Sequence, residues 1–223
     1  DVGSPFDFAN QGVLYMPKHL PEPGRDGPSQ DVLTELGELI DAAGGRTLAL
    51  FSSWRGVEAA DLHLRNVLAE LPIKIITQKR GDAVGPLVER FAKDETSVLI
   101  GTMSLWQGVD VPGNSCVLVA IDRIPFPRPD EPVMSARASQ ADAAGGSGFM
   151  QVSLPRAALL LAQGTGRLIR SVDDRGVVAI LDSRIVTKRY GSVLLNSMPP
   201  LWRTSEKGVV IDSLRRLRES MKQ

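Results

Sequence analysis

Short apolar runs alternate with stretches of helical periodicity along most of this chain, and this alternation constrains the fold more than any other feature. Unbroken apolar runs are typical of strands buried on both faces of a parallel sheet. Their alternation with amphipathic helices predicts an α/β fold, a mostly parallel sheet with helices on both faces. The predicted strands are 12–16, 47–51, 73–77, 97–100, 116–121 and 177–181.

The helices of the N-terminal half carry clear boundary signals and apolar stripes. Ser29 is a suitable N-cap for the first long helix, and Gly44 and Gly45 are expected to end it. The stripes predicted to face the sheet are Val32, Leu36, Leu39 and Ile40 in the first helix, Val57, Ala60, Leu64, Val67 and Leu71 in the second, and Val84, Leu87, Val88 and Phe91 in the third.

The C-terminal half is predicted to be mostly helical between its strands. The Ala-, Gly- and Ser-rich segment 131–150 is interpreted as a helix that ends in a mobile loop. Segments 154–170 and 185–195 are predicted to be helices. The tail has an apolar stripe at Val210, Leu214, Leu217 and Met221 and, from residue 203 on, six basic against three acidic residues. An amphipathic helix packed by its stripe is favoured over a DNA-facing helix.

Composition excludes several classes of function. The 26 basic and 26 acidic residues balance, so any nucleic-acid contact must come from a local patch. One cysteine, Cys116, excludes an internal disulfide and a cysteine-rich metal site in this chain, and its apolar neighbours predict burial. His19 and His63 lie too far apart to indicate a metal site. No signal peptide and no run of ~20 apolar residues occurs, which predicts a cytoplasmic location.

Two arginines and a glutamine in segment 163–170 give the strongest chemical signal. Gln163, Arg167 and Arg170 are spaced four and three apart, so on a helix they would share one face. The alternative explanation is that the three residues form the solvent-exposed polar face of an amphipathic helix. Gly164 and Gly166 disfavour it, because each costs a helix about 1 kcal/mol relative to Ala. Arginine holds phosphoryl oxygens bidentately, so we predict phosphate chemistry here.

Two further segments follow predicted strands. After strand 97–100, Thr102, Trp106, Gly108 and Asp110 lie in a stretch suited to phosphate or sugar oxygens, and Trp106 could stack on a base or pack in a loop. Turn formation alone also explains such residues. After strand 47–51 come Ser52 and Ser53, which fit backbone phosphates or helix capping equally well.

The sequence lacks the parts that would hold a nucleotide by itself. No G-x-x-x-x-G-K-[ST] loop occurs, and no strand end rich in Asp and Glu is placed to bind magnesium. The chain also begins at Asp1 without methionine, which suggests a piece of a longer protein. A self-sufficient NTPase is therefore not expected.

Five motifs resemble, in this order, those of superfamily 2 helicases of the DinG/XPD type, especially bacterial DinG-like proteins. They are FSSW (51–54), WQGVDVPG (106–113), IPFP (124–127), QGTGRLIR (163–170) and LDSR (181–184). The resemblance runs from Ser4 to about Pro200. It implies a RecA-like fold and the second motor domain of an ATP-dependent DNA helicase that moves 5′ to 3′ on single-stranded DNA.

The resemblance also implies roles for individual residues. Gln163, Arg167 and Arg170 resemble helicase motif VI, whose arginines face the γ-phosphate of ATP, and Gly166 lies among them. Gly108 and Asp110 resemble motif V, which couples nucleotide to DNA.

The DNA contacts follow from the same resemblance. Thr102 and Ser52 resemble contacts to backbone phosphates, with Ser53 and Trp106 beside them. Asp182 and Arg184 would hold structure nearby. Gln107 departs from the family, which usually has Glu before Gly-Val-Asp. The carboxylate is lost, and most hydrogen-bonding capacity is kept.

The implied partners are single-stranded DNA and the N-terminal helicase domain of the same parent. ATP with Mg²⁺ would be held mainly by that other domain, and an iron–sulfur cluster is possible only there. We interpret 1–223 as a single C-terminal RecA-like domain, with a core at 28–200 and a tail at 201–223. Two alternatives are a non-catalytic RecA-like binding module and a small nucleotide or phosphate-transfer enzyme, which the missing phosphate loop disfavours.

Overall fold

The computed structural model of the chain describes residues 6–105, 115–128, 131–166, 168–169, 171 and 173–220. The strands are β1 Gly12–Tyr15, β2 Thr47–Phe51, β3 Lys74–Thr77, β4 Ser97–Thr102, β5 Leu118–Ile121, β6 Gly176–Ile180 and β7 Trp202–Thr204. The α-helices are α1 Phe8–Gln11, α2 Gln30–Ala43, α3 Trp54–Val67, α4 Val84–Ala92, α5 Pro132–Ala143, α6 Leu154–Thr165, α7 Arg184–Thr187, α8 Gly191–Ser197 and α9 Lys207–Ser220. A π-helix, Phe149–Ser153, leads into α6.

The described strands form one seven-stranded sheet in the order β3-β4-β2-β5-β6-β1-β7. Every paired strand in it is parallel. Neighbouring residues of β2 and β6 enter opposite cores, because side chains alternate across a strand. One core lies under α4, α6 and α8, and the other under α2, α3 and α9. The predicted α/β class is confirmed.

Helix α2 forms where the sequence placed it. The Ser29 side chain accepts a hydrogen bond from the Val32 amide, so it caps the first turn. Gly44 ends the helix in the left-handed conformation, with φ of 68°, which a residue without Cβ adopts at little cost. The second helix ends earlier than its predicted stripe: α3 stops at Val67, which is half exposed, and Leu71 lies beyond it.

The prediction that 154–170 is one helix is wrong, because α6 ends at Thr165. The Thr165 hydroxyl donates back to the Leu161 carbonyl oxygen, and Gly166 lies in a turn after the last helical residue. Beyond it, Leu168 and Ile169 are buried in the core. Two glycines lower helix propensity here, and burial of this apolar pair directs the chain off the helix axis.

The prediction of one helix over 185–195 is also wrong. Helices α7 and α8 are separated at Lys188, whose backbone is extended. Gly191 approaches the Ile185 carbonyl so closely that a Cβ there would collide with it. The mobile loop expected before 150 is corrected in part, since Phe149 begins the π-helix and packs on Phe126 and Tyr190.

The tail is part of the main structure. β7, which was not predicted, pairs with β1, and its short length and polar residues gave no strand signal. Val210 and Leu214 of α9 are fully buried in the core shared with α2, as the favoured interpretation of the tail predicted, and Met221 lies outside the described residues. No helix in the described part of the chain is long and apolar enough to cross a bilayer.

Candidate nucleic-acid interface

Polar side chains gather at the edge of the sheet where its parallel strands end. Ser52 follows β2, Gln78 follows β3, Thr102 ends β4 and Asp122 follows β5. Because carboxyl ends of parallel strands meet at one edge, residues distant in sequence become neighbours there.

Ser52 is held in place by a buried carboxylate. The Ser52 amide and hydroxyl donate to the two carboxylate oxygens of Asp122, over 2.9 and 3.1 Å. Arg123 donates to the same carboxylate from Nε, over 3.2 Å. Burial raises the pKa of Asp122 to about 6, against the opposing effects of Arg123 and Ser52. Three donors therefore converge on one buried acid, which fixes the loop after β2.

Ser53 is the N-cap of helix α3. Its hydroxyl accepts from the Gly56 amide over 3.1 Å, so the capping role considered for this serine is present. Capping leaves the first amides of α3 at this edge, where the helix dipole is positive. An anion that approaches Ser52 and Ser53 also meets this positive end.

Thr102 is positioned by a glutamine from the neighbouring strand. Gln78, almost completely buried, accepts from the Thr102 amide over 2.8 Å and donates to the Ser104 hydroxyl over 3.2 Å. The Thr102 and Ser104 hydroxyls are 2.7 Å apart. The Thr102 side chain is thus presented at the edge in a fixed orientation.

These groups line one cavity of about 260 Å³, called here the hydroxyl cleft. Ser52, Ser53 and Thr102, which the sequence indicated separately, are brought together in its wall. Two cations and one carboxylate belong to the lining, and the other lining residues are mostly apolar. The residues concerned are Ser52, Ser53, Trp54, Thr102, Met103, Ser104, Pro125, Phe126, Pro127, Arg128, Glu131, Arg156 and Leu160.

The next loop along the edge is fixed by Asp182, which follows Leu181 after β6. Its buried carboxylate accepts from the Ile124 amide over 2.9 Å and from the Arg184 guanidinium over 2.7 Å. Arg184 also lies over the Phe126 ring, 5.7 Å from its centroid. The pair therefore connects the loop after β6 to the loop that forms one wall of the hydroxyl cleft.

The remaining predicted site residues are only partly described. Gln163 and Gly166 are exposed at the end of α6. Arg156 and Leu160 line the hydroxyl cleft, and Gln163 continues the same helical spacing, so these three share one face of α6. The sequence placed Gln163 and both arginines on one helical face, but α6 ends at Thr165, so only Gln163 of the three belongs to this helix. Arg167, Arg170, Gly108, Asp110 and Trp106 lie outside the described residues.

Sequence comparison decides the family. A family described as "Helicase C-terminal domain" matches residues 36–201. The chain belongs to the helicase C-terminal domain family. Among curated relatives, the ATP-dependent helicase DinG of Mycobacterium tuberculosis is 56% identical over 218 residues, which cover 97% of this chain and 32% of the relative. The chain is a helicase C-terminal domain of the DinG-like type.

Other relatives of this helicase C-terminal domain carry different names. The ATP-dependent DNA helicase YoaA of Escherichia coli is 36% identical and covers 91% of this chain, and the 3′-5′ exonuclease DinG of Bacillus subtilis is 32% identical and covers 89%. The chain spans about a third of the length of the first relative, 31% of the second and 22% of the third.

Solved structures confirm the RecA-like helicase fold. An XPD helicase matches with a TM-score of 0.59 at 17% identity, over 87% of this chain and 36% of that one. The C-terminal domain of the DEAD-box protein Dbp5 matches with a TM-score of 0.54 at 15% identity, over 94% of this chain and 98% of that one. At these identities the likeness concerns the fold alone.

Sequence reasoning missed the residues that position the hydroxyls of this helicase domain. Asp122 directly follows the apolar run 116–121, so a carboxyl group at a strand end was a usable signal. Gln78 gave none, because one glutamine after a short strand is common on exposed loops. Its burial and its three hydrogen bonds arise only when β3 and β4 pair.

Proposed function

We propose that the chain is the second motor half of an ATP-dependent DNA helicase and that its hydroxyl cleft binds the phosphates of single-stranded DNA. The observation that carries the proposal is the convergence of Ser52, Ser53 and Thr102 with the start of α3 in one cleft. Hydroxyls, backbone amides and helix N-termini are the groups that commonly contact phosphate without reading sequence.

The way the hydroxyls are held supports this role. The Ser52 and Thr102 amides are bound within the protein, by Asp122 and Gln78 respectively. Their backbones are therefore fixed before a strand binds, which lowers the entropy cost of binding. Arg128 and Arg156 add positive charge to the lining. A contact of this kind tolerates any base, as a translocating motor requires.

The ATP half of the proposal rests on the sequence pattern. Arg167 and Arg170 would contact the γ-phosphate of ATP bound to the N-terminal domain, with Gln163 and Gly166 beside them. ATP and its Mg²⁺ would supply the energy of the cycle. Gly108 and Asp110 would transmit closure of the two halves to the DNA, which moves through the motor 5′ to 3′.

Helix α6 leads from the hydroxyl cleft toward the segment that carries the two arginines. Its face carries Arg156 and Leu160 in the hydroxyl cleft and then Gln163 one turn later, about 5 Å further along the axis at 1.5 Å per residue. The segment with the arginines follows directly. A shift of α6 as the halves close would move the cleft wall, so one rigid element serves both ligands.

The arginine proposal is tested in the full-length protein that contains both motor halves. DNA-stimulated ATP hydrolysis is measured for the wild type, Arg167→Ala and Arg170→Ala, with Arg215→Ala as the control for loss of an exposed arginine. We expect a fall of about 10³-fold or more in the first two variants, the scale of an arginine finger, and none in the control. Wild-type rates in both variants would refute the finger role. The chain alone is expected to hydrolyse no ATP.

The cleft proposal is tested by binding of an oligothymidine to Thr102→Val, which removes the hydroxyl and keeps the side-chain shape. We expect weaker binding than wild type, with an unchanged fold by circular dichroism. Affinity of the wild type should fall steeply as salt rises, because phosphate contacts release counterions. Salt-independent binding, or full affinity in Thr102→Val and Ser52→Ala alike, would indicate a protein partner instead.

A further inference from the structure

A second cavity lies beside the hydroxyl cleft, at the open edge of the sheet. It is called here the edge groove and has a volume of about 510 Å³. Among the described strands, β3 is the outermost on this side and pairs only with β4. The groove runs along β3 and α3, and among the motif residues that the structure describes only Trp54 lines it.

The two cavities share one wall. Trp54 lines both of them, at the first position of α3 directly after Ser52 and Ser53. Gln78 also lines the edge groove, while its side chain holds Thr102 and Ser104 of the hydroxyl cleft. A linear polymer that leaves the cleft across Trp54 therefore enters the groove directly, because the same side chain lines both cavities.

The charge of the groove suits a polyanion. Its lining contains four cationic side chains and two carboxylates, Glu58 and Asp61. Asp61 is already paired, because Arg65 donates to it over 2.9 Å and the Thr77 hydroxyl donates to it as well. These bonds to Arg65 and Thr77 outweigh the opposing effect of partial burial and lower the pKa of Asp61, so it stays charged and bound to Arg65. Lys79 and Arg80 are exposed at the end of β3.

Trp54 is the side chain of the groove on which a nucleobase could stack. The Arg80 guanidinium lies over the indole ring, 5.6 Å from its centroid. An aromatic ring with a cation over it, between a hydroxyl-lined cavity and a cationic one, is an arrangement on which single-stranded nucleic acids can stack their bases.

We propose that single-stranded DNA continues from the hydroxyl cleft into the edge groove, where one base stacks on Trp54 and the following phosphates contact Lys79 and Arg80. The inference rests on the proposed function of the cleft. It adds a subsite of different chemistry, stacking and long cations in place of fixed hydroxyls. Sequence-independent stacking is expected, since every base has a π-face.

The test compares two lengths of oligothymidine on this chain, one of about four nucleotides and one of about twelve. We expect Trp54→Ala to weaken binding of the long oligonucleotide by about tenfold and that of the short one by much less, with Trp54→Phe between. Arg80→Ala, at an exposed position, keeps the fold and should lower the slope of log affinity against log salt by about 0.7. Arg215→Ala is the matched control, an exposed arginine on α9, and should change neither quantity.

A 5-iodouracil-substituted oligonucleotide supplies a readout independent of affinity. The long form should crosslink to the peptide that contains Trp54. If both lengths bind, Thr102→Val weakens them and the Trp54 and Arg80 variants behave as wild type, the edge groove is not a subsite and the cleft proposal stands. If neither length binds, both proposals fail. Equal losses for the two lengths would place Trp54 in the cleft alone and overturn the second subsite.

Discussion

The hydroxyl cleft and the edge groove lie on either side of Trp54 and hold their polar groups in opposite ways. In the cleft, short side chains are tied to buried partners, Ser52 to Asp122 and Thr102 to Gln78. In the groove, Lys79 and Arg80 are long, exposed and close to solvent. The first surface is ordered before a ligand arrives, and the second can rearrange around one.

The two surfaces would therefore contribute to DNA binding in different ways: the hydroxyls would position a phosphate, and the cations would attract it. A fixed hydroxyl loses little conformational freedom on binding, so under the proposed function it would define where a phosphate lies. An exposed cation acts over a distance of about 8 Å at physiological salt and contributes to encounter and salt dependence. We therefore expect variants of the buried partners to change the stability of the domain, and variants of the groove cations to change binding alone.

The largest effect is expected for Asp122→Ala. The substitution leaves the Ser52 amide and the Arg123 guanidinium without their buried acceptor, at a side chain that has no exposed surface in the native state. Removing one partner of such a buried set costs about 3–5 kcal/mol. Urea unfolding of this chain measures the loss, and oligothymidine binding should weaken as Ser52 loses its position. A loss below about 1 kcal/mol would show that the carboxylate does not hold the loop.

The pH dependence of the same group follows from its raised pKa. The native pKa of about 6 lies above the value of 3.8 expected without burial, so the native state binds the proton more tightly than the unfolded state. Its contribution to stability is complete below pH ~4 and is lost as pH rises through ~6, by at most about 3 kcal/mol. Asp122→Asn keeps an acceptor and removes the titration.

We therefore expect the stability of the wild type relative to Asp122→Asn to fall between pH 4 and pH 7. Taking the difference removes the contribution of other carboxylates such as Asp94, whose pKa is lowered chiefly by its bond to Lys74. Unfolding by urea at several pH values measures it. A difference that rises with pH would mean that Arg123 and Ser52 outweigh burial at this site.

A smaller loss is expected for Gln78→Ala, about 1–2 kcal/mol, because the Thr102 amide loses a neutral acceptor. Gln78→Glu is the sharper variant. Its carboxylate can accept from the Thr102 amide and from the Ser104 hydroxyl, so stability should change less than in Gln78→Ala. Its negative charge faces the proposed phosphate path, so oligothymidine binding should weaken more. If Gln78→Glu bound the oligonucleotide more tightly than Gln78→Ala, the proposal that a phosphate binds near Thr102 would be wrong.

Features that depend on local sequence could be predicted, whereas features that depend on contacts between distant segments could not. Strands with apolar runs and a capped helix such as α2 follow from local patterns, because burial on both faces and capping each leave a signature. Ser52, Ser53 and Thr102 were found because they lie at the ends of strands. Their partners were not, because Gln78 acquires its role only through the pairing of β3 with β4.

The errors in the C-terminal half have a physical cause. The helical period around 154–170 continues past Thr165, and only tertiary burial of Leu168 and Ile169 shows that the chain leaves the axis. β7 has too few residues for a periodic signal and depends on β1 as its template. Local periodicity therefore predicts that an element exists better than it predicts where the element ends.

The smallest effect is expected for Lys79→Ala in the edge groove. Lys79→Ala removes an exposed cation whose backbone amide, not its side chain, bonds to Asp82. We expect the free energy of unfolding to stay within about 0.5 kcal/mol of wild type, as for most surface substitutions. The salt slope of oligothymidine binding should fall by about 0.7, the share of one phosphate contact on a single strand. Lys188→Ala is the control: its side chain pairs with Glu22, neither residue lines the groove, and the substitution should leave the slope unchanged. A large loss of stability in Lys79→Ala would mean that the groove side chains, like those of the cleft, help to hold the fold together. The proposed difference between the two surfaces would then be wrong.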